Sequence, residues 1–282
     1  MSKELSSLQV NELILTNLFG KDIVIKSQKN QIDKELFEDL NMVLSKYVYG
    51  DDIASAVKTR NMKYLEDYYN YLYERFTNNS LSKDIDLSNL GLILVRPEMY
   101  DNSEKIINRL KELKFDLLHT GDKILNIDQY ITLYYHGLIH EYSTIDFPTR
   151  TFNYVGKKSY LIIVSSKEYG NVSNFLNSIK GQPGFISKDT IRGETTESLK
   201  KYIKSYNRFY DEYNILLDPI SAYRLIVDHK VDQTKTDNNQ ETADFPLLYY
   251  AGQGVHIPDE TEIERDISVI CTEKELKKVL SK

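Results

Sequence analysis

Two short runs of consecutive apolar residues, Leu92-Ile-Leu-Val95 and Tyr160-Leu-Ile-Ile-Val164, constrain the fold more than any other feature of the chain. Each is too short for an ordinary helix and has no polar residue alternating through it, the pattern of a strand buried in a sheet. Between and after them the pattern turns helical. Asp101-Asn-Ser103 offers helix caps, and Ile106, Ile107, Leu110 and Leu113 then form a stripe at helical spacing. Phe115 to Leu118 reads as a second strand, Ile127 to Tyr135 as a helix, and Val172 to Ile179 as a helix following the third strand. The order strand, helix, strand, then strand and helix again predicts an α+β fold, a ferredoxin-like βαββαβ sandwich.

The region before these runs has a different grammar. Residues 1–88 read as mostly helical, with Leu36, Leu40, Val43 and Leu44 on one face of a helix from Glu35 to Tyr47. Leu65, Tyr68, Tyr69 and Leu72 do the same within Met62 to Phe76, and Ile23 to Ile25 reads as a short strand. The polar stretch Thr77-Asn-Asn-Ser-Leu-Ser-Lys-Asp resembles a linker, so the expected domains are 1–88 and 89–282. A helical insertion is expected at about 195–245, supported by the amphipathic run Leu199 to Tyr210 and containing the polar, low-complexity stretch Asp232 to Asp244.

Bulk composition narrows the classes of function. A net charge of −6, with no basic cluster long enough to track a phosphate backbone, argues against nucleic acid. It leaves nucleotides open, because a local site needs only a few convergent donors. The single cysteine, Cys271, excludes an intramolecular disulfide and a cysteine-rich metal site. The polar start and the lack of a long apolar run predict a cytoplasmic protein with no membrane partner. The 22 tyrosines suit half-buried faces without specifying a chemistry.

Three segments carry the chemistry. In Leu92-Ile-Leu-Val-Arg-Pro-Glu98 a buried strand ends abruptly in a cation and a proline, placing Arg96 at the rim of a sheet. There it is either a phosphate ligand or a surface arginine beside an acidic neighbour. Gly181-Gln-Pro-Gly184 with Thr190-Ile-Arg-Gly193 forms a glycine-rich loop leading into Arg192, a residue suited to bidentate phosphate contact. Gln253-Gly-Val-His-Ile-Pro-Asp259 places His256 between a glycine and a proline, ahead of an acidic helix that Pro258-Asp-Glu is expected to start. An imidazole accepts a phosphoryl group when one ring nitrogen is free and the other is held by a hydrogen bond. A structural or exposed role is the alternative for His256, and is the reading taken for His119, His136, His140 and His229.

Taken in order, these segments resemble the nucleoside diphosphate kinase family over roughly residues 90–270. Arg96-Pro97-Glu98 is similar to the family's Lys-Pro-Asp, and Lys114-Phe115 to its Gly-Phe. Tyr135 resembles its phosphate-side tyrosine, and Arg150-Thr151-Phe152 its Arg-Pro-Phe. Pro183-Gly184 and Thr190-Ile-Arg-Gly193 resemble Pro-Gly-Thr-Ile-Arg-Gly, with five residues inserted. Gln253-Gly-Val-His256-Ile-Pro-Asp259 resembles Asn-x-x-His-Gly-Ser-Asp. The resemblance implies that His256 is the nucleophile and Asp266 its orienting partner. It implies phosphate or nucleotide binding by Arg96, Tyr135, Arg150, Lys180, Arg192 and Gln253, and base stacking on Phe152. The implied substrates are ATP or another nucleoside triphosphate with Mg²⁺ on its phosphates, and the implied assembly is a homo-oligomer.

The departures are specific. Asn177 and Pro183 stand where the family has a phosphate-binding arginine and threonine, with Lys180 as a substitute for the arginine. Ile257-Pro258 replaces Gly-Ser, and residues 193–255 form a far longer interval than the family's. Two functions are therefore expected: phosphoryl transfer through phosphohistidine, or a nucleotide-binding module with a regulatory or scaffolding role.

Overall fold

The computed structural model describes residues 34–78, 87–136, 151, 154–181, 190–192 and 254–280. The expected strand at 23–25, the insertion at 195–245 and the Pro183-Gly184 pair lie outside them. The described residues fall into two compact units, one holding residues 34–65 with 136, 151 and 154, the other 66–135, 155–181, 190–192 and 254–280.

In the first unit, α1 (Lys34–Tyr49) and α2 (Asp51–Thr59) meet at Gly50, whose φ of 81° is a conformation glycine adopts without a Cβ penalty. Leu44 is fully buried while Val43, expected on the same face, is exposed. Ile53, Ala54, Ala56 and Val57 form the buried side of α2, and the Tyr49 hydroxyl bonds the Thr151 hydroxyl at 2.8 Å. The next helix, α3 (Met62–Thr77), begins here with buried Leu65 and continues into the second unit, where Leu72 is buried.

The second unit is α+β, a four-stranded antiparallel sheet with helices. Along the chain come β1 (Leu90–Val95), a 3₁₀ turn (Pro97–Asn102), α4 (Ser103–Glu112), β2 (Asp116–Ile124) and α5 (Ile127–His136). They are followed by β3 (Lys158–Ser165), α6 (Val172–Lys180), β4 (Val255–His256), α7 (Ile263–Ile270) and α8 (Glu273–Leu280). The strand order is β2-β3-β1-β4 and every pairing is antiparallel. The two apolar runs become neighbours at its centre, in the register Leu92↔Ile163 and Leu94↔Leu161. Every residue of β1 is buried, which explains why neither run alternates.

β2 runs past the apolar stretch seen in the sequence. The bulge between Leu117 and His119 re-aims the strand, and Thr120 to Ile124 continue as a polar edge pairing Ile162 to Lys158. That half carries no apolar stripe, its residues being half-buried or exposed.

Gly91 determines how α6 approaches the sheet. A Cβ there would lie 2.4 Å from Leu176 Cδ1 and 2.6 Å from Val172 Cγ1. Gly91→Val should therefore push α6 off β1 and destabilise the protein by about 1–3 kcal/mol, the usual cost of overpacking a filled core. Urea unfolding would reveal this as a lowered midpoint; an unchanged midpoint would mean the α6–β1 contact is loose.

Candidate active site

β4 consists of two residues, and its position is set by the end of β1. His256 pairs with Leu94, Val255 pairs with Val95, and the Arg96 backbone N–H donates to the Gly254 carbonyl at 2.9 Å. Gly254 has φ of 66°, and a Cβ on it would come within 2.3 Å of Met99 Sδ, so glycine lets the strand lie close to the 3₁₀ turn. The result sets His256 beside the residue where β1 stops. Arg96, just before Pro97, is itself buried.

Asp266 comes from the first half of α7 and is fully buried. Its Oδ2 lies 2.6 Å from His256 Nε2. A carboxylate at that distance accepts a proton from Nε2, so in the neutral ring the lone pair lies on Nδ1. Among the described residues no hydrogen bond engages Nδ1. The Tyr134 ring packs against the imidazole at a steep angle, with centroids 5.1 Å apart at 70°. The dyad is thus oriented from both sides.

Helix α7 starts at Ile263, five residues later than Pro258 suggests. Residues 257–262 form a non-helical approach held from α6: Asn177 Nδ2 donates to the Pro258 carbonyl at 2.9 Å and to Asp259 Oδ1 at 3.1 Å. Lys180 Nζ donates to the Ile257 carbonyl at 3.3 Å, and Asn174 reaches Glu260 Oε2 at 2.9 Å. Asn177, expected only as a lost phosphate ligand, braces the main chain that follows the histidine.

Arg192 arrives on a short return segment. Ile191 and Arg192 N–H groups donate to the Ile179 and Lys180 carbonyls at 2.9 and 3.1 Å, closing the end of α6. The guanidinium bonds the Gly181 and Val255 carbonyls, the latter at 3.4 Å. Gly181, with φ of 81°, is required there, since a Cβ would meet Thr190 Oγ1 at 2.5 Å.

Lys180, Arg192 and Arg96 feel one another's charge. Burial first, then repulsion from Arg192 and Arg96, pushes the Lys180 ammonium down to about 8, against the pull of Asp259 and Glu262. An anion in this cluster should keep Lys180 protonated, so affinity for inorganic pyrophosphate is expected to fall as pH rises through about 8. Titration calorimetry on either side of that pH would show it, and Lys180→Met should flatten the dependence. Equal slopes in both proteins would remove Lys180 from the anion site. Without ligand the sign reverses. The folded pKa lies below the ordinary 10.5, so folding stability rises with pH between about 8 and 10.5.

The structure therefore pairs His256 with Asp266, seats Arg192 and Lys180 on the carbonyls either side of the histidine, and brings Arg96 within the field of Lys180. Tyr135 instead stacks on Tyr69 at 4.0 Å, and Tyr134 contacts the histidine. Non-helical angles at Tyr134 (φ −119°, ψ 23°) interrupt α5 there, so helical periodicity does not identify which tyrosine faces the site. Arg150, Phe152 and Gln253 lie outside the described residues. His119 lies in a separate cluster, with Nε2 3.3 Å from Glu275 Oε1 and Lys123 at 2.5 Å from the same carboxylate.

Arg265 was not apparent from sequence. Its Nε donates to Asp266 Oδ1 at 2.8 Å, although adjacent helical residues do not normally face each other. Only the basic-acidic pair ahead of an apolar run hints at it.

No family model, curated protein or solved structure matches the chain. Among the described residues no helix is long and apolar enough to cross a membrane, and no group of three or more His, Cys, Asp or Glu is arranged to hold a metal.

Proposed function

We propose that the sheet-bearing unit is a ferredoxin-like domain related to nucleoside diphosphate kinases. Its proposed activity is to move a phosphoryl group from a nucleoside triphosphate to a nucleoside diphosphate or related acceptor through His256. The observation that carries this reading is the 2.6 Å contact between His256 Nε2 and Asp266 Oδ2, which in the neutral ring puts the lone pair on Nδ1, while Arg192 and Lys180 bond the Val255 and Ile257 carbonyls on either side of the histidine. The element order and the strand order β2-β3-β1-β4 support the fold.

In the first half-reaction Nδ1 attacks the γ-phosphorus, a nitrogen–phosphorus bond forms, and the bond to the bridging oxygen breaks. The diphosphate leaves with that electron pair. Nε2 keeps its proton throughout, and Asp266 balances the positive charge that develops on the ring. Arg96, Lys180 and Arg192 stabilise charge on the phosphate oxygens. Mg²⁺, carried on the nucleotide, supplies further neutralisation when bound. The acceptor diphosphate then runs the sequence in reverse.

The test is incubation of purified protein with γ-labelled ATP and Mg²⁺. Label should attach to protein, survive base, be lost in acid, and be discharged by added nucleoside diphosphate. Binding without label would favour the second reading, a regulatory nucleotide-binding module. One observation points that way: Asn177 donates to the Pro258 carbonyl and the Asp259 carboxylate where the family supplies a phosphate-binding cation.

A further inference from the structure

Asp266 has a second partner that the phosphoryl-transfer scheme leaves unused. Arg265 is buried, and its Nε and Nη2 lie 2.8 and 2.7 Å from Asp266 Oδ1. Nη2 also reaches Glu262 Oε1 at 3.1 Å and the Leu133 carbonyl on α5 at 3.4 Å. Tyr69 of α3 faces the same guanidinium closely enough for its charge to oppose the rise that burial imposes on the phenol. Three helices thus hold one side chain in a fixed orientation, and it engages one oxygen of the carboxylate while the other meets His256.

The electrostatic consequence follows from this division. A buried carboxylate with no cation behind it would favour an imidazolium, protonated on both nitrogens, and the Nδ1 lone pair would be lost. A guanidinium on Oδ1 offsets that charge without competing for Oδ2. We infer that Arg265 is a positioning residue that acts through Asp266 to keep the His256 imidazole neutral with its lone pair on Nδ1. The inference rests on the reading of His256 as phosphoryl acceptor. The other groups around the ring are Tyr134, which packs against it, and Glu262 behind Arg265. Arg96, Lys180 and Arg192 flank its strand and its following turn.

The experiment reads the ring directly. Histidine ¹⁵N spectra of the full chain would be recorded against pH for wild type, Arg265→Gln, Arg265→Lys, Asp266→Asn and the Arg265→Gln/Asp266→Asn double variant. In the wild type at neutral pH, His256 should show a proton on Nε2 and a lone pair on Nδ1. In Arg265→Gln it should be protonated on both nitrogens, and Arg265→Lys should restore the lone pair. The double variant should match Asp266→Asn alone, because a residue acting through Asp266 has no effect once that charge is gone. Removing both charges also relieves the unpaired carboxylate, so the double variant remains informative if Arg265→Gln does not fold. The labelling rate of Arg265→Gln at neutral pH should fall about 10–100-fold, as for other partners behind a functional histidine, and recover at higher pH. Wild-type spectra in Arg265→Gln, or an Arg265 effect that persists with Asn at 266, would overturn the inference. Should the wild type take no label from ATP while the spectra behave as stated, the phosphotransfer reading fails and the role of Arg265 in setting the ring's proton stands.

Discussion

His256→Ala is expected to lose phosphoprotein formation by on the order of 10⁵-fold or more, the scale on which removing an enzyme's nucleophile acts. Alanine has no atom that can accept the phosphoryl group, and the described neighbours offer no replacement within the dyad. Asp266 is fully buried, with one oxygen on the imidazole and the other committed to Arg265. Nucleotide binding should survive, because the cations Arg96, Lys180 and Arg192 are held by the end of β1, by α6 and by the return segment at 190–192. The cleanest comparison is therefore the amount of label per mole of protein against the calorimetric affinity for the same nucleotide. Loss of label at retained affinity assigns the chemistry to this ring. A His119→Ala control should label as the wild type does, since His119 lies with Glu275 and Lys123 in a different cluster. Label persisting on His256→Ala would place the acceptor elsewhere and end the proposed mechanism.

Much of this site was legible because its parts are set by local sequence. A strand that ends in Arg-Pro announces itself, since proline cannot continue the ladder, and Arg96 does stand where β1 stops. The glycines at 181 and 254 mark positions where the backbone adopts positive φ, and both turned out to seat a neighbouring side chain. The pairing of His256 with Asp266 was implied by the resemblance, and the two side chains are 2.6 Å apart. What remained hidden depends on tertiary packing. A two-residue strand such as β4 has no periodicity to detect, and exists because β1 offers an open edge at Leu94 and Val95. Tyr135 was implied by the resemblance alone, and in the structure Tyr134 packs against the imidazole while Tyr135 stacks on Tyr69. Helix α2 escaped notice because its apolar side is built partly from alanines, Ala54 and Ala56, which give a weak stripe. Arg265 escaped because its partners include Asp266, one residue away, and the Leu133 carbonyl, 132 residues away.

Asp266→Ala should have the largest effect on stability, and the reason separates it from an ordinary loss of a hydrogen bond. The carboxylate is fully buried and serves two donors, His256 through Oδ2 and Arg265 through Oδ1. Burial alone works to lower the Arg265 pKa, yet the Asp266 and Glu262 carboxylates drive it well above its ordinary value, so the guanidinium stays charged. Removing Asp266 leaves that charge in a buried setting with Glu262 as its remaining carboxylate partner. Breaking one side of a buried ion pair costs about 3–5 kcal/mol, far more than the net value of the pair. Asp266→Asn should cost less, because the amide fills the same volume and its oxygen can still accept from one of the two donors. The order wild type, Asn, Ala should therefore appear in chemical-denaturation midpoints, with wild type highest. Labelling should follow a different order, with both variants nearly inactive, because neither supplies the negative charge that balances an imidazole taking on a phosphoryl group. Equal midpoints for wild type and Asp266→Ala would mean that the Arg265 charge finds water or another partner, and the buried dyad would lose its structural basis.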